Sequence, residues 1–244
     1  MKTTRRLFIA FILLFPALLS AAPAASGWQK DYDRLLKKYV VDGGVRYAAW
    51  KADARDMAAM NRVVAGIGAA QVDKLDPKAQ LAFYINAYNA WTIKLILDRY
   101  PIKSVWSASP IFFLQKNIRV AGERMSLHHL EKNIIRKKFQ DPRVHFAVNC
   151  GSTSCPPLQK GAYYAKSIDK ELEARTRAFT LNDANVEKTA DGKLRVSRVY
   201  KWYDDDAKAQ DKAVNYIGRT RGERIPDGAK VEYKKYDWSL NARE

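Results

Sequence analysis

The sequence predicts an α+β fold: a helix-rich single domain with a small, mostly antiparallel sheet and a buried central helix. Three observations lead to this prediction. Apolar residues recur at helical spacing along most of the chain, one helical segment is apolar almost all round, and segments with strand alternation are few and short. Residues 25–244 suffice for one hydrophobic core, so we predict a single domain with a short C-terminal extension.

Residues 1–24 have the layout of a secretory signal peptide. Lys2, Arg5 and Arg6 precede an apolar run over residues 7–19, and small residues follow it. The run is too short to span a bilayer comfortably. The arginine pair also fits twin-arginine export, but the strongly apolar run favours the general secretory route. We therefore expect a mature protein in the periplasm or secreted, with no stable membrane insertion after signal removal.

The chain is strongly basic, with a net charge of +17. Residues 1–24 carry three positive charges and no negative ones, so their removal lowers the net charge from +17 to +14. In an exported protein this charge favours an anionic envelope glycan or a phospholipid head group as partner. The simpler interpretation is that scattered lysines only solvate the surface. The basic runs are short and no aromatic RNA-binding signature is present, so we predict no nucleic-acid partner.

Three helices are predicted in the first part of the mature chain. Helical spacing of apolar residues predicts the first over residues 28–41 and the second over residues 47–64. The pair Asp76-Pro77, an N-cap followed by proline at the first helical position, begins the third. The third helix runs to about Arg99, before Tyr100-Pro101. Because it is apolar almost all round, we expect it to be the buried central helix.

Two asparagines, Asn86 and Asn89, lie on one face of this third helix, three residues apart. A buried amide without a partner costs on the order of 1 to 3 kcal/mol, so both must be hydrogen-bonded. Either they belong to a structural network that clamps a loop against the helix, or they line a pocket and bind a ligand. We favour the structural network and keep the binding role as the alternative.

Residues 117–125 predict a short hairpin, and Ser126 begins another helix with a candidate acid in it. With α-helical spacing, Glu131 falls within the apolar stripe of this helix. An acid in that position is either paired with a base, for which Arg136 and Lys138 are the local candidates, or has its pKa raised by desolvation. Carboxylates at such positions also hold catalytic roles, so Glu131 is a candidate site residue.

The segment over residues 143–157 contains both cysteines and one of the three histidines. Alternating apolar residues predict a strand that ends near Cys150, and a turn rich in glycine and serine follows. On such a strand, at about 3.3 Å per residue, His145 and Cys150 lie roughly 16 Å apart, which prevents a direct contact unless the chain bends. The turn brings Cys155 back toward Cys150, and in an oxidising compartment two such cysteines most often form a disulfide.

The remainder of the chain predicts four further elements and a loop. Residues 167–181 read as an amphipathic helix and residues 193–199 as a strand. Residues 201–206 are predicted to be a loop rich in aromatic and acidic side chains, followed by a helix over residues 207–219. Residues 230–240 alternate imperfectly, as a terminal strand with a bulge would.

These motifs together resemble the DUF547 family, a domain of unknown function. The resemblance covers roughly residues 30–222 and implies a fold family and a candidate site, without a reaction. The sequence departs from the family pattern at His128 and His129, where an acidic pair is common, and at Lys132, where a histidine often follows the glutamate. The matching segments, in chain order, are residues 83–90 (FYINAYNA), 126–131 (SLHHLE) with Arg136, 141–150 (DPRVHFAVNC), 154–158 (SCPPL) and 201–203 (KWY).

Three functions remain compatible with the sequence, and the first is a noncatalytic domain of unknown activity that binds a small ligand or an envelope component. In this hypothesis a Cys150–Cys155 disulfide rigidifies the turn, and polar side chains form the binding site. The predicted binding residues are Asn86, Asn89, Asn149 and Arg136.

The second hypothesis is a thiol-dependent hydrolase or transferase that acts on an envelope peptide or acyl group. Cys150 is its nucleophile, His145 or Glu131 acts as base or orienting group, and asparagine amides donate hydrogen bonds to the developing oxyanion. The third is a metal site formed by His145, Cys150 and Cys155. It lacks the usual ligand spacing and a clear fourth ligand, and we expect His128 and His129 to be solvated, so we predict neither a metal nor a cofactor.

Overall fold

The computed structural model describes residues 26–107, 110–225 and 229–244, and the predicted signal peptide lies outside these ranges. Helices dominate, and the sheets contain two or three strands each. The predicted mixed α+β class with a buried central helix is confirmed. No helix within the described ranges is both long enough and apolar enough to cross a membrane.

The helical elements differ in length and type, and three of them follow one another without a break over residues 127–139. The helices of the first half are α1 (Ser26–Tyr39), α2 (Tyr47–Ala52), α3 (Ala54–Ala69), α4 (Pro77–Arg99), α5 (Pro110–Leu114), α6 (Leu127–His129), a π-helix (Leu130–Arg136), α7 (Lys137–Phe139) and a 3-10 helix (Pro142–Phe146). Those of the second half are α8 (Ile168–Leu181), α9 (Val199–Asp206), a 3-10 turn (Ala209–Asp211) and α10 (Ala213–Arg221).

The strands form three small sheets. β1 pairs with β2 and β3 with β4 as antiparallel hairpins, whereas β5, β6 and β7 form one sheet in which β6 and β7 are parallel and β5 and β6 antiparallel. The pairing is therefore mostly antiparallel, as predicted. The strands are β1 (Val40–Val41), β2 (Gly44–Val45), β3 (Ile118–Val120), β4 (Glu123–Met125), β5 (Val186–Lys188), β6 (Leu194–Val196) and β7 (Val231–Tyr233).

The helix α4 is the central element. Asp76 caps it by accepting a hydrogen bond from the backbone N–H of Ala79 at 2.9 Å, and Pro77 occupies the first turn. Most of its side chains from Leu81 to Leu97 are buried. The second predicted helix, over residues 47–64, is instead divided into α2 and α3, because the Asp53 carboxylate accepts from the backbone N–H of Asp56 at 3.0 Å and starts a new helix.

The predicted strand before Cys150 is wrong, because the chain forms the 3-10 helix Pro142–Phe146 there. Asp141 caps this helix by accepting from the backbone N–H of Arg143 at 2.9 Å, and Pro142 fits its first turn. Val144, His145 and Phe146 are all buried, so the apolar alternation does not mark one buried and one exposed face. The 16 Å separation expected between His145 and Cys150 therefore has no basis in this structure.

The 3-10 helix lies where two apolar clusters meet. The larger cluster surrounds α4 and includes Val144 and Ala147, whereas the smaller one gathers around α9, α10 and the three-stranded sheet and includes Phe146. The rings of Phe146 and Tyr200 lie 5.5 Å apart, centroid to centroid. Cys150, four residues after Phe146, therefore lies next to the seam between the two clusters.

Two predicted elements near the C-terminus are also wrong. Residues 201–206, predicted to be a loop, belong to α9, because Val199, Tyr200 and Tyr203 share a buried face at helical spacing. The predicted terminal strand is limited to β7, and the residues after it cross to the turn between the two cysteines (residues 150–155), which we call the cysteine turn. There the Thr153 N–H donates to the carbonyl of Ser239 at 2.8 Å, and the Asn241 N–H donates to the carbonyl of Gly151 at 2.9 Å.

Candidate functional site

A cleft of about 190 Å³ brings together residues that are distant in the sequence. Among the predicted site residues, it is lined by both cysteines, His145, Glu131 and Arg136, whereas Asn86, Asn89 and Asn149 do not belong to its lining. The complete lining consists of Tyr88, Phe113, His128, Glu131, Arg136, His145, Val148, Cys150, Cys155, Pro156, Val199, Trp202, Tyr236 and Trp238.

The two helix asparagines bind the backbone of other segments. The Asn86 amide donates to the carbonyl of Tyr163 at 2.8 Å and accepts from the N–H of the same residue at 2.9 Å. The Asn89 amide donates to the carbonyl of Ala147 at 2.9 Å and accepts from the N–H of Asn149 at 2.8 Å. Each side chain thus satisfies a backbone donor and acceptor that have no helix or strand partner. Asn89 fixes the chain just before the cysteines.

Asn149 closes the cysteine turn from within. Its side-chain amide donates to the carbonyl of Pro156 at 2.8 Å, and its oxygen accepts from the N–H of Gly151 at 2.8 Å. Gly151 has a φ of +83°, and a Cβ there would lie 2.4 Å from Cδ1 of Ile96. A residue with a side chain would therefore be both strained and blocked at this position. The turn between the cysteines is held by the same amides that the sequence marked as candidate binding groups.

The predicted disulfide is not formed, since both cysteines are free thiols. The Cys150 backbone N–H donates to Sγ of Cys155 at 3.0 Å, and the two thiols are hydrogen-bonded to one another. The turn therefore brings Cys155 back to Cys150, as expected, but it places the sulfur of Cys155 over a backbone N–H. Both side chains are half-buried and line the cleft.

The hydrogen-bond donors around the thiols converge on Cys155. The Tyr236 hydroxyl donates to Sγ of Cys155 at 3.1 Å, and the Ser152 hydroxyl donates to the Tyr236 oxygen, also at 3.1 Å. A backbone N–H can only donate, so the bond from Cys150 adds a second fixed donor. This arrangement suits a negatively charged sulfur at Cys155.

The two thiols consequently have opposite acidities. Burial acts to raise the pKa of Cys155, but the hydrogen bonds from the Cys150 thiol, Tyr236, Ser152 and the Cys150 N–H outweigh it and lower that pKa below the ordinary value. The pKa of Cys150 is raised, first by its hydrogen bond to Cys155 and then by burial and by the charge of Cys155. When one proton leaves the pair, it therefore leaves Cys155, and Cys150 keeps its own.

A buried histidine is held in the same cleft by a carboxylate. His145 Nε2 and Oδ2 of Asp206 lie 2.8 Å apart, and Arg136 binds the same carboxylate with Nε at 2.7 Å and a terminal nitrogen at 3.0 Å. Burial acts to raise the pKa of Asp206, but the bonds from His145 and Arg136 lower it well below its usual range. Among the described residues, Nδ1 of His145 has no hydrogen-bond partner, and His145 is one of the residues that line the cleft.

The π-helix explains why Glu131 and Arg136 line one cleft. In an α-helix, residues five apart point in different directions, whereas the i to i+5 hydrogen bonds of a π-helix stack them on one side. Of the alternatives left open for Glu131, an ion pair with Arg136 is not formed among the described residues, since Arg136 forms its ion pair with Asp206. Glu131 instead hydrogen-bonds the hydroxyl of Tyr88, a buried residue of α4.

The second predicted base, Lys138, binds elsewhere, with Nζ 2.6 Å from Oε1 of Gln80. Glu131 is therefore left with a neutral partner. The pKa of Tyr88 is raised, first by burial and then by the charge of Glu131, so this tyrosine remains a donor to the carboxylate.

Aromatic side chains form the wall of the cleft beside the cysteines. The rings of Trp202 and Tyr236 meet edge to face with centroids 5.2 Å apart, and those of Tyr236 and Trp238 lie 4.5 Å apart. Trp238 also contacts the exposed Trp106, with centroids 5.1 Å apart. The wall therefore orients the Tyr236 hydroxyl and offers an apolar surface next to the thiols.

The family predicted from the motifs is confirmed. The sequence model described as "Protein of unknown function, DUF547" matches residues 72–180. Over this segment the chain is similar to the DUF547 family. The match is shorter than the resemblance over residues 30–222, and the Lys201-Trp202-Tyr203 motif lies outside it. No curated protein and no solved structure matches the chain.

The DUF547 segment supplies only part of the cleft. It contains both cysteines, Glu131 and the 3-10 helix, whereas Asp206 and Tyr236 follow it in the sequence. Asp206, Tyr236 and Trp238 line or complete the site without having been predicted from the sequence. Asp206 ends an acidic triplet that the sequence predicted to lie in a loop. The helical spacing of Val199, Tyr200 and Tyr203 is the signal that could have placed it at the end of a helix. Tyr236 carries no local signal, because its position depends on the pairing of the C-terminal residues with the cysteine turn.

The two adjacent histidines of the DUF547 segment are both exposed. His128 reaches the rim of the cleft, and Nδ1 of His129 lies 2.9 Å from the side-chain nitrogen of Asn133. Across the described residues, no three His, Cys, Asp or Glu side chains are grouped closely enough to hold a metal ion. The ionisable groups of the cleft instead bind one another and the surrounding tyrosines.

Proposed function

We propose that this DUF547 protein is a thiol-dependent acyl hydrolase or acyltransferase with Cys155 as its nucleophile. The observation that carries the proposal is the convergence of donors on the Cys155 sulfur in a cleft that also contains a histidine held by a carboxylate. A thiolate is the reactive form of cysteine, and donors that lower its pKa increase its population at neutral pH. The noncatalytic hypothesis depended on a disulfide that is not formed.

The proposed roles rest on the hydrogen bonds of Cys155 and Asp206 and on the cleft that His145 and Cys155 both line. The Cys155 thiolate attacks an acyl carbonyl and forms a carbon–sulfur bond, and the bond from the carbonyl carbon to the leaving group breaks. His145, oriented by Asp206, accepts the Cys155 proton and returns it to the leaving group. Water or a second substrate then releases the acyl group. Cys150, proposed from the sequence as the nucleophile, serves as a donor instead.

The oxyanion donors are also provided by groups around Cys155. The Cys150 N–H and the Tyr236 hydroxyl both point at the sulfur in the resting site, at 3.0 and 3.1 Å. As the sulfur loses its charge to the carbonyl oxygen, the same donors are available to the new oxyanion. The asparagines assigned to this role from the sequence are occupied with backbone groups.

Alkylation kinetics test the proposal directly. Reduced protein is treated with iodoacetamide at pH values from 5 to 10, and the labelled cysteine is located by mass spectrometry. We expect Cys155 to be labelled first, with a midpoint below the ordinary thiol value of about 8.5. Cys155→Ser should abolish the fast phase and Cys150→Ser should keep fast labelling at position 155. Preferential labelling of Cys150, or an ordinary midpoint at Cys155, would refute the assignment.

Catalysis itself is tested with a panel of acyl thioesters and activated esters. The protein should form a thioester that intact-protein mass spectrometry detects as an added acyl mass, and Cys155→Ser should lack it. Cys150→Ser keeps the backbone donor and the nucleophile, so it is the matched control. Equal acylation of the two variants at serine or lysine side chains would count against thiol catalysis.

We also propose that the substrate is met outside the cytoplasm, as an envelope peptide or acyl group. The support is the layout of residues 1–24, together with the basic composition that favours anionic envelope components. The N-terminal mass of the protein recovered from its native compartment tests export. A mature chain that begins near residue 25 is expected, and an intact Met1 in the cytoplasmic fraction would contradict it.

A further inference from the structure

A second cavity, of about 300 Å³, shares Cys155 and Tyr236 with the cleft. The remaining lining of this cavity comes from the cysteine turn, the end of α8, the turn before α9 and the two lysines after β7. The described residues that line it include no carboxylate: Thr153, Ser154, Cys155, Pro157, Phe179, Asn182, Ala184, Asn185, Ser197, Arg198, Lys234, Lys235 and Tyr236.

The two cavities differ in chemistry. The cleft presents aromatic rings and a mixture of acidic and basic groups, whereas the second cavity presents hydroxyls, amides and three cations. Hydroxyls, amides and cations are the groups that bind phosphate and carboxylate oxygens. A molecule that contacts Cys155 from the second cavity therefore meets a polar, positively charged surface.

Two of the three cations are available for a ligand. Lys234 is already engaged, because its Nζ donates to the carbonyl of Ala184 at 2.8 Å and lies 3.3 Å from the Glu187 carboxylate. Arg198 and Lys235 are exposed, and neither forms an ion pair with another described residue. Within the described part of the protein, neither cation therefore has a carboxylate at ion-pair distance.

The rim of the cavity is held by hydrogen bonds that each involve a backbone group. The Ala184 N–H donates to the side chain of Asn182 at 2.9 Å, and the Ser197 N–H donates to the carbonyl of Asn185 at 2.7 Å. The Asn185 amide donates to the carbonyl of Phe179 at 3.1 Å. These hydrogen bonds fix the turn that precedes Arg198, so this part of the cavity is preformed.

We propose that the second cavity binds an anionic group of the substrate through Arg198 and Lys235, while the acyl portion occupies the aromatic cleft. The substrate class is then an acyl donor with a carboxylate or phosphate close to its reacting carbonyl. The proposal rests on the proposed function, because Cys155, the proposed nucleophile, is one of the two residues that both cavities share. It adds a specificity site whose other lining residues do not belong to the aromatic cleft.

A pair of isosteric alkylating reagents tests this site. Iodoacetate carries a carboxylate and iodoacetamide a neutral amide. Each alkylates a thiolate by forming a carbon–sulfur bond at its methylene carbon while the carbon–iodine bond breaks and iodide leaves. The rate ratio of iodoacetate to iodoacetamide is measured at Cys155 and divided by the ratio for glutathione under the same conditions. We expect a normalised ratio above one for the unmodified protein.

Arg198→Gln and Lys235→Gln should each lower that ratio about threefold or more, while the iodoacetamide rate stays unchanged. The matched control is Lys188→Gln, which removes an exposed charge at the end of β5, away from the lining of the cavity. Inorganic phosphate and acetate, added at equal ionic strength, should slow iodoacetate labelling, and the stronger competitor identifies the preferred anion. An unchanged ratio in both variants would overturn the proposal.

If the proposed function itself is wrong, the alkylation experiment gives a result that differs from failure of the anion site. If iodoacetamide does not label Cys155 rapidly in any variant, the nucleophile assignment is wrong, and the cavity is then tested by thermal unfolding. Phosphate bound to the folded state raises the melting temperature. The rise should be smaller in the Arg198→Gln, Lys235→Gln double variant than in Lys188→Gln. Equal rises in the two proteins would overturn the anion site independently of the thiol chemistry.

Discussion

Cys150 and Cys155 differ in the direction of their hydrogen bonds. Cys155 receives a backbone N–H and a tyrosine O–H, whereas Cys150 contributes its own N–H and thiol to its neighbour. Nothing in the spacing of the two cysteines distinguishes them, since each is flanked by polar turn residues or prolines. Tyr236, which reaches the pair from another part of the chain, adds to the bond from the Cys150 N–H in making this distinction.

Tyr236→Phe should therefore raise the pH midpoint of Cys155 alkylation. The hydroxyl stabilises the thiolate, so its removal destabilises the charged form and moves the pKa of Cys155 upward by about one unit. At neutral pH the labelling rate should fall, and above the new midpoint it should recover. Alkylation rates at several pH values measure the effect, and Tyr233→Phe on β7 is the exposed control. A midpoint that stays in place would show that the hydroxyl does not support the thiolate.

At the scale of elements, the sequence predicts best where the structural signals are local. The helix α4 follows from an N-cap, a proline in its first turn and an uninterrupted apolar surface. The 3-10 helix Pro142–Phe146 was predicted as a strand, because residues that face two different clusters produce the same alternation as a strand between core and solvent. The π-helix was also not predicted, because the spacing of apolar residues did not distinguish its wider turns from those of an α-helix.

Asn86 and Asn89 connect α4 to two different segments, and this allows a matched comparison. Both Asn→Ala variants should lower the free energy of unfolding, by about 1 to 3 kcal/mol each, because backbone groups lose buried partners. Asn89→Ala should also slow Cys155 labelling at neutral pH, since Asn89 fixes the chain before the cysteines. Asn86→Ala should not, because it holds Tyr163.

Denaturant unfolding measures the stability change of the two variants, and alkylation under native conditions measures thiol reactivity. Equal effects of both variants on Cys155 reactivity would indicate a general loosening of the fold. That outcome would contradict a specific role of Asn89 in placing the thiol.

At the scale of the whole molecule, the cleft joins segments that a family match to residues 72–180 does not span. The motifs within the DUF547 segment predicted both cysteines, His145 and Glu131 as candidate residues. The groups that hydrogen-bond to His145 and Cys155, which are Asp206 and Tyr236, come from α9 and the C-terminal segment. Their placement depends on contacts between distant parts of the chain, which local periodicity does not encode. The sequence therefore predicted candidate side chains of the cleft more readily than the groups that bond to them.

The C-terminal residues should control thiol chemistry more than they control the helical core. Removal of residues 236–244 eliminates Tyr236 and Trp238 together with the backbone pairing to the cysteine turn. The larger apolar cluster is formed by buried residues from Trp28 to Leu172, so the far-ultraviolet helical signal should largely persist at low temperature. The melting temperature should fall, because the buried Asn241 and its bond to Tyr47 at 2.9 Å are also lost.

Removal of residues 243–244 alone is the matched control, because it leaves both aromatic residues and Asn241 in place. In this control Cys155 should keep its low pH midpoint of alkylation, whereas in the longer truncation both cysteines should approach the ordinary thiol value of about 8.5. Circular dichroism and alkylation of the same samples separate loss of fold from loss of the site. A longer truncation that keeps fast labelling at Cys155 would mean that the DUF547 segment activates its thiol without the C-terminal residues.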